Sequence, residues 1–138
     1  MSFDLVLSDL GRMNQTPSGY EDRTRLEAAD VLRWSAALGC TRAALYDQLA
    51  LYLAHGYNND NLTFYYCDGV VNDLWSIIGQ LDGSVGPELW WKVFEAFDQG
   101  EYYHDDRRDT DPEELYTRPM IAAIVADHPL SPFNTTPI

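Results

Sequence analysis

The chain lacks the features that anchor proteins in membranes, staple small secreted domains or bind nucleic acids. Its 138 residues include only two cysteines, Cys40 and Cys67, which is too few for a disulfide framework. No apolar run approaches the ~18–20 residues of a membrane-spanning helix, and the acidic start does not resemble a secretory signal. We therefore expect a cytoplasmic protein.

Positive charge is also scarce, with nine basic residues against 22 acidic ones and a net charge of −13. Such a surface repels nucleic-acid phosphates and anionic lipids, so we expect neither as a partner. Two interpretations of the acidity remain open. It either serves solubility alone or complements a basic protein.

What the sequence does contain is helical periodicity. We predict an all-α fold, a compact bundle of about five helices forming a single domain over residues 1–138. The predicted helices cover residues 20–38, 41–56, 61–78, 87–100 and a segment that begins at 111. Residues 1–19 are predicted to be irregular, although 3–7 are compatible with a short helix or strand. Prolines make residues 129–138 an extended tail.

Local signals mark the ends of these helices. Thr41 is a good N-cap, and Gly39 and Gly56 are typical of helix stops. The third helix has the cleanest apolar stripe, which predicts that it is the central helix. This stripe includes Trp75 as a core residue and Asp68 as a buried carboxylate, for which we expect an arginine partner.

The segment from Asp98 to Asp111 is unusual because it combines six acids with two tyrosines, a histidine and an arginine pair. Three interpretations compete for it. It is a solvated loop, a surface that binds a basic protein through aromatic anchors and acids, or a metal site. The metal alternative would use Asp98, Glu101, His104 and Asp105. It is weakened because Glu-x-x-His occurs only once and Gly100 interrupts the helix.

No phosphate loop, nucleophile elbow or zinc-protease motif is present, so we predict no catalytic residue and no cofactor. Trp90 and Trp91 are adjacent and cannot both point inward, so one of them should be partly exposed. The predicted partner-binding residues are Asp98, Glu101, Tyr102, Tyr103, Asp105, Asp106, Asp109 and Trp91.

Two stretches carry a family resemblance. They are LTFYYCDGVVNDLW (62–75), and VFEAFDQGEY (93–102) followed by DPEELYTR (111–118). They resemble small acidic helical immunity proteins of bacterial polymorphic-toxin and contact-dependent inhibition systems. The resemblance implies a cytoplasmic inhibitor that binds and blocks a cognate toxin domain, often a basic nuclease. It carries over no individual functional residue.

Overall fold

The computed structural model describes residues 3–13, 26–104 and 108–129, and every regular element in these ranges is helical. The elements are α1 (Asp4–Met13), α2 (Ala28–Leu38), α3 (Arg42–Asn58), α4 (Phe64–Asp82), α5 (Glu88–Gln99), a π-helical turn (Glu113–Thr117) and α6 (Arg118–Asp127). The all-helical prediction is confirmed, with six α-helices where about five were expected. None of the described helices has the length and apolar character needed to cross a membrane.

The additional helix is α1, so the prediction of an irregular segment over residues 1–19 is wrong for residues 4–13. Val6 and Leu10 of this helix are buried. Asp9 is also buried. It accepts a 2.7 Å hydrogen bond from the indole nitrogen of Trp34 and forms an ion pair with Arg33. A helix of only ten residues is marginal on its own, so its contacts with the core stabilise it here. Residues 14–19 lie outside the described ranges.

Helix α2 begins at Ala28, whereas residue 20 was predicted as its start. Residues 20–25 of the predicted helix lie outside the described ranges. Glu27 and Asp30 form a reciprocal capping box at this start. Gly39 ends the helix in the left-handed conformation (φ +66°), as predicted. Thr41 then caps α3 by accepting a hydrogen bond from the backbone nitrogen of Ala44.

Two predicted helix ends are wrong. Helix α3 continues through Gly56 to Asn58, and α4 continues through Gly79 to Asp82, where Gly83 (φ +61°) ends it. At Gly56 the side chain of Leu62 packs so closely that a Cβ atom would overlap it. This glycine is therefore kept for close packing inside the helix rather than for a turn.

Helix α3 is the central element, since it packs against α2, α4, α5 and α6, whereas α4 was predicted to be central. Its residues Leu45, Leu49 and Leu53 are fully buried. Asp47 projects from α3 to the start of α5 and accepts a 3.1 Å hydrogen bond from the backbone nitrogen of Trp90. This bond fixes where α5 begins relative to the core.

The last helical segment follows Asp111 as predicted, but its first turn is a π-helix. The backbone nitrogen of Arg118 donates a hydrogen bond to the carbonyl of Glu113, five residues earlier, which is the π-helical pattern. The next residue, Pro119, has no N–H with which to donate a backbone hydrogen bond. The turn directs Thr117 inward, where its hydroxyl donates a 2.7 Å hydrogen bond to the carbonyl of Ala96. Of the predicted extended tail, residues 130–138 lie outside the described ranges.

Candidate protein-binding face

One surface of the protein is formed by α4 and α5, which are joined by a short connection and pack against each other. Helix α4 contributes Asp68, Asn72 and Trp75, spaced by four and three residues and therefore on one side of the helix. Helix α5 contributes Trp91, Phe94 and Asp98 at the same kind of spacing, and Glu101 follows in the next turn. We refer to these seven residues as the α4/α5 face.

The aromatic end of this face consists of one exposed and one partly exposed tryptophan around a covered phenylalanine. Trp75 is 50% exposed and stacks on Phe94, with ring centroids 5.9 Å apart and planes 7° apart. Trp91 is partly exposed and lies 5.3 Å from the same ring. Trp90, by contrast, is completely buried, which confirms that only one of the adjacent tryptophans points inward. The prediction that Trp75 belongs to the core is wrong.

The acidic end of the face brings together three carboxyl groups. The carboxyls of Asp68 and Glu101 lie within hydrogen-bonding reach of each other, and Asp98 is close enough to act on Asp68 electrostatically. Asn72 donates a 2.9 Å hydrogen bond to Glu101. The Oδ1 atom of Asp68 is buried and accepts no hydrogen bond from the described residues. An arginine partner had been expected for Asp68, but the neighbours that dominate its environment are acids.

This arrangement changes the ionisation of the carboxyls. Burial, followed by the hydrogen bond and negative charge of Glu101, raises the pKa of Asp68 to about 8. Burial and the charges of Glu101 and Glu95 also raise the pKa of Asp98. At neutral pH the Asp68 carboxyl therefore keeps a proton, and the Asp68–Glu101 pair carries less than its full negative charge.

Within the described ranges, the basic side chains that form ion pairs do so with acids outside the α4/α5 face. Arg33 pairs with Asp9 and Asp30, Arg42 with Asp82, Lys92 with Glu88, and Arg118 with Asp60, Glu113 and Glu114. Within the described part of the chain, no ion pair includes an acid of the α4/α5 face. In this part of the chain, these acids therefore have no basic side chain that neutralises them.

The described residues that follow Glu101 in the predicted acidic segment, 102–104, continue from this face without regular α-helix. Tyr102 and Tyr103 are 49% and 46% exposed. The His104 ring stacks between Tyr102 and Tyr116, with centroids 4.4 and 3.9 Å away, and its Nε2 donates to the carbonyl of Gln99.

Three further acids complete the predicted partner-binding set. Asp109 is exposed, whereas Asp105 and Asp106 lie outside the described residues. The structure thus brings Asp98, Glu101 and Trp91 to one face and places the tyrosines beside it.

The alternative metal site gains no geometric support. Among the described residues, no group of three or more histidine, cysteine, aspartate or glutamate side chains is placed to hold a metal ion. His104 is turned toward Tyr116 and Gln99 rather than toward Asp98 and Glu101. The fourth proposed ligand, Asp105, lies outside the described part.

The sequence predictions missed four members of the face, namely Asp68, Asn72, Trp75 and Phe94. Asp68 and Trp75 lie four and three residues from Asn72 on α4, but both were assigned to the buried apolar stripe of that helix. No protein-family model matches the chain, and neither does any curated protein or solved structure, so its function must be argued from these residues.

Proposed function

We propose that the protein is an immunity-type inhibitor that binds a cognate basic toxin domain in the cytoplasm and neutralises it. The observation that carries this proposal is the α4/α5 face. It places the half-exposed ring of Trp75 on the same face as the Asp98 and Glu101 carboxyls, which have no cationic partner among the described residues. Tryptophan supplies much of the binding energy at protein interfaces, and surrounding charges steer and orient the partner.

The unfavourable effect of the carboxyl cluster on folding gives a second line of support. Holding Asp68 beside Glu101 in a partly buried site favours the protonated carboxyl and works against folding at neutral pH. Groups that weaken the fold are commonly retained where function needs them. A cationic group from a partner would relieve the repulsion that the free protein carries.

The neighbouring turn extends the proposed surface. Tyr102 and Tyr103 add exposed aromatic area, and Asp109 adds charge at the edge. Exposed charges at the rim of an interface act mainly on the association rate. The total charge of −13 supports a basic partner for the same reason.

Affinity capture from the native cell, using the full-length protein as bait, tests the proposal. Wild type, Trp75→Ala and Leu32→Ala are compared. Leu32 is a matched control because it is an apolar residue of α2 that is 46% exposed and is not one of the seven residues of the face. We expect a basic protein to bind wild type and the Leu32 variant, to be depleted on the Trp75 variant, and to elute at high salt.

The captured protein is then produced with and without the wild-type chain. Growth arrest by the partner alone, and rescue by co-production, is the result expected of an inhibitor. If no basic protein is retained, or if the retained protein is equally active in the complex, the proposed function is wrong.

A further inference from the structure

The α4/α5 face has a geometry that specifies the chemistry of its partner more closely. We infer that it receives an arginine side chain of the basic partner, with the aliphatic stem along Trp75 and the guanidinium group at the carboxyls of Glu101 and Asp98. This inference rests on the proposed function, since it names the group by which the partner is recognised.

The spacing of the face fits such a side chain. Asn72, which holds Glu101 through its 2.9 Å hydrogen bond, lies three residues before Trp75 on α4. Three residues of helix correspond to a rise of about 4.5 Å, and on α5 Asp98 follows Phe94 by about one turn. An extended arginine can therefore contact the indole with its methylene groups and reach the carboxyls with its head.

Arginine suits this site better than lysine for two physical reasons. A planar guanidinium group stacks on aromatic rings and is more weakly hydrated than an ammonium group, so it loses less on entering a partly covered site. Its donors also form a fork that can bond two carboxyl oxygens at once. The carboxyls of Glu101 and Asp98 offer acceptors for this fork, while the indole of Trp75, stacked within 7° of the Phe94 ring, offers a flat apolar surface for the stem.

Binding of this cation should be linked to proton release. The titratable groups that act on Asp68 are Glu101 in the following turn and Asp98 on α5, with the Asn72 amide beside them. Burial, and then the charge of Asp68, raises the pKa of the adjacent Cys67 thiol. In the free protein Asp68 is protonated at pH 7, because its pKa is about 8. A nearby positive charge favours the ionised carboxyl, so the complex forms more tightly as the pH rises.

The test uses hexa-arginine and hexa-lysine peptides as probes and the full-length chain as receptor. Binding is measured by calorimetry, and the indole N–H resonances identify which tryptophan is contacted. We expect hexa-arginine to bind more tightly than hexa-lysine and to shift the Trp75 resonance. Trp75→Ala should weaken hexa-arginine binding about fourfold, the effect of uncovering about one methylene group of the stem.

The pH dependence separates a specific site from general attraction. For wild type, hexa-arginine affinity should rise roughly tenfold or more from pH 6 to pH 8. Asp68→Asn should remove most of this rise, whereas Asp127→Asn, an exposed acid at the end of α6, should leave it unchanged. Circular dichroism melts confirm that each variant is folded.

Equal binding of the two peptides, an undiminished affinity of Trp75→Ala, or no binding at millimolar peptide would overturn the inference. These outcomes differ from failure of the proposed function. If the captured toxin is still neutralised by Trp75→Ala and Asp68→Asn, the protein remains an inhibitor and only the arginine site is excluded.

Discussion

Replacing Asp68 by asparagine should stabilise the protein, and the gain should grow with pH. In the unfolded chain this carboxyl ionises near the ordinary aspartate pKa of 3.8, whereas in the folded protein it holds its proton until the pH approaches 8. Between these values the folded state binds more protons than the unfolded state. The free energy of unfolding of wild type therefore falls as the pH rises through this window.

The size of the effect follows from the same two values. At pH 7, about three pH units above 3.8, the contribution is at most about 4 kcal/mol. Because Asp68 retains some contact with solvent, screening reduces this, and we expect a gain of about 1–2 kcal/mol. Asparagine keeps the shape of the side chain and cannot ionise, so little else changes.

Urea unfolding of wild type and Asp68→Asn at several pH values between 3 and 9 measures this gain. The two proteins should be similarly stable at pH 3, diverge above pH 4 and reach a constant difference above pH 8. Asp127→Asn should show no such divergence. A stability of Asp68→Asn that is equal to or below wild type across the whole range would refute the account of the carboxyl cluster.

Four further substitutions test the fold. Gly100→Ala should lower the free energy of unfolding by about 1–3 kcal/mol, because a Cβ atom there would overlap neighbouring side chains. Gly79 has open space around it, so Gly79→Ala should raise the free energy of unfolding by about 0.5–1 kcal/mol. Thermal melts of the two variants measure these changes, and equal effects would contradict the prediction. Thr63→Ala should cost about 1 kcal/mol in urea unfolding by removing the cap of α4. Asp9→Ala should cost about 2–4 kcal/mol by leaving the Trp34 indole nitrogen buried without its acceptor; unchanged stability would show that α1 contributes little.

Part of the fold was predictable because its signals are local. Thr41 caps α3 with its own side chain, and Gly39 ends α2 because glycine readily adopts a positive φ. The same reasoning failed at Gly56 and Gly79, where helices continue. A glycine only permits a helix to end, and neighbouring packing decides whether it does.

The candidate site was predictable only in part. The acidic and aromatic composition of residues 98–109 pointed to a binding surface, and two of its acids, Asp98 and Glu101, do lie on the α4/α5 face. The sequence could not place Asp68 beside Glu101, which is 33 positions away. It also could not show that Trp75 is half exposed, because the apolar spacing along a helix does not tell how far the next helix covers it.

The sequence by itself determined the all-helical architecture, the negative charge and most helix starts, since these depend on periodicity, composition and side chains within a few residues. Tertiary structure alone decided which positions of the α4 stripe are covered and which carboxyls meet. The raised pKa of Asp68 belongs to this second group, because it arises from burial and from a charge on another part of the chain. The face on which the proposed function depends is therefore a product of helix packing.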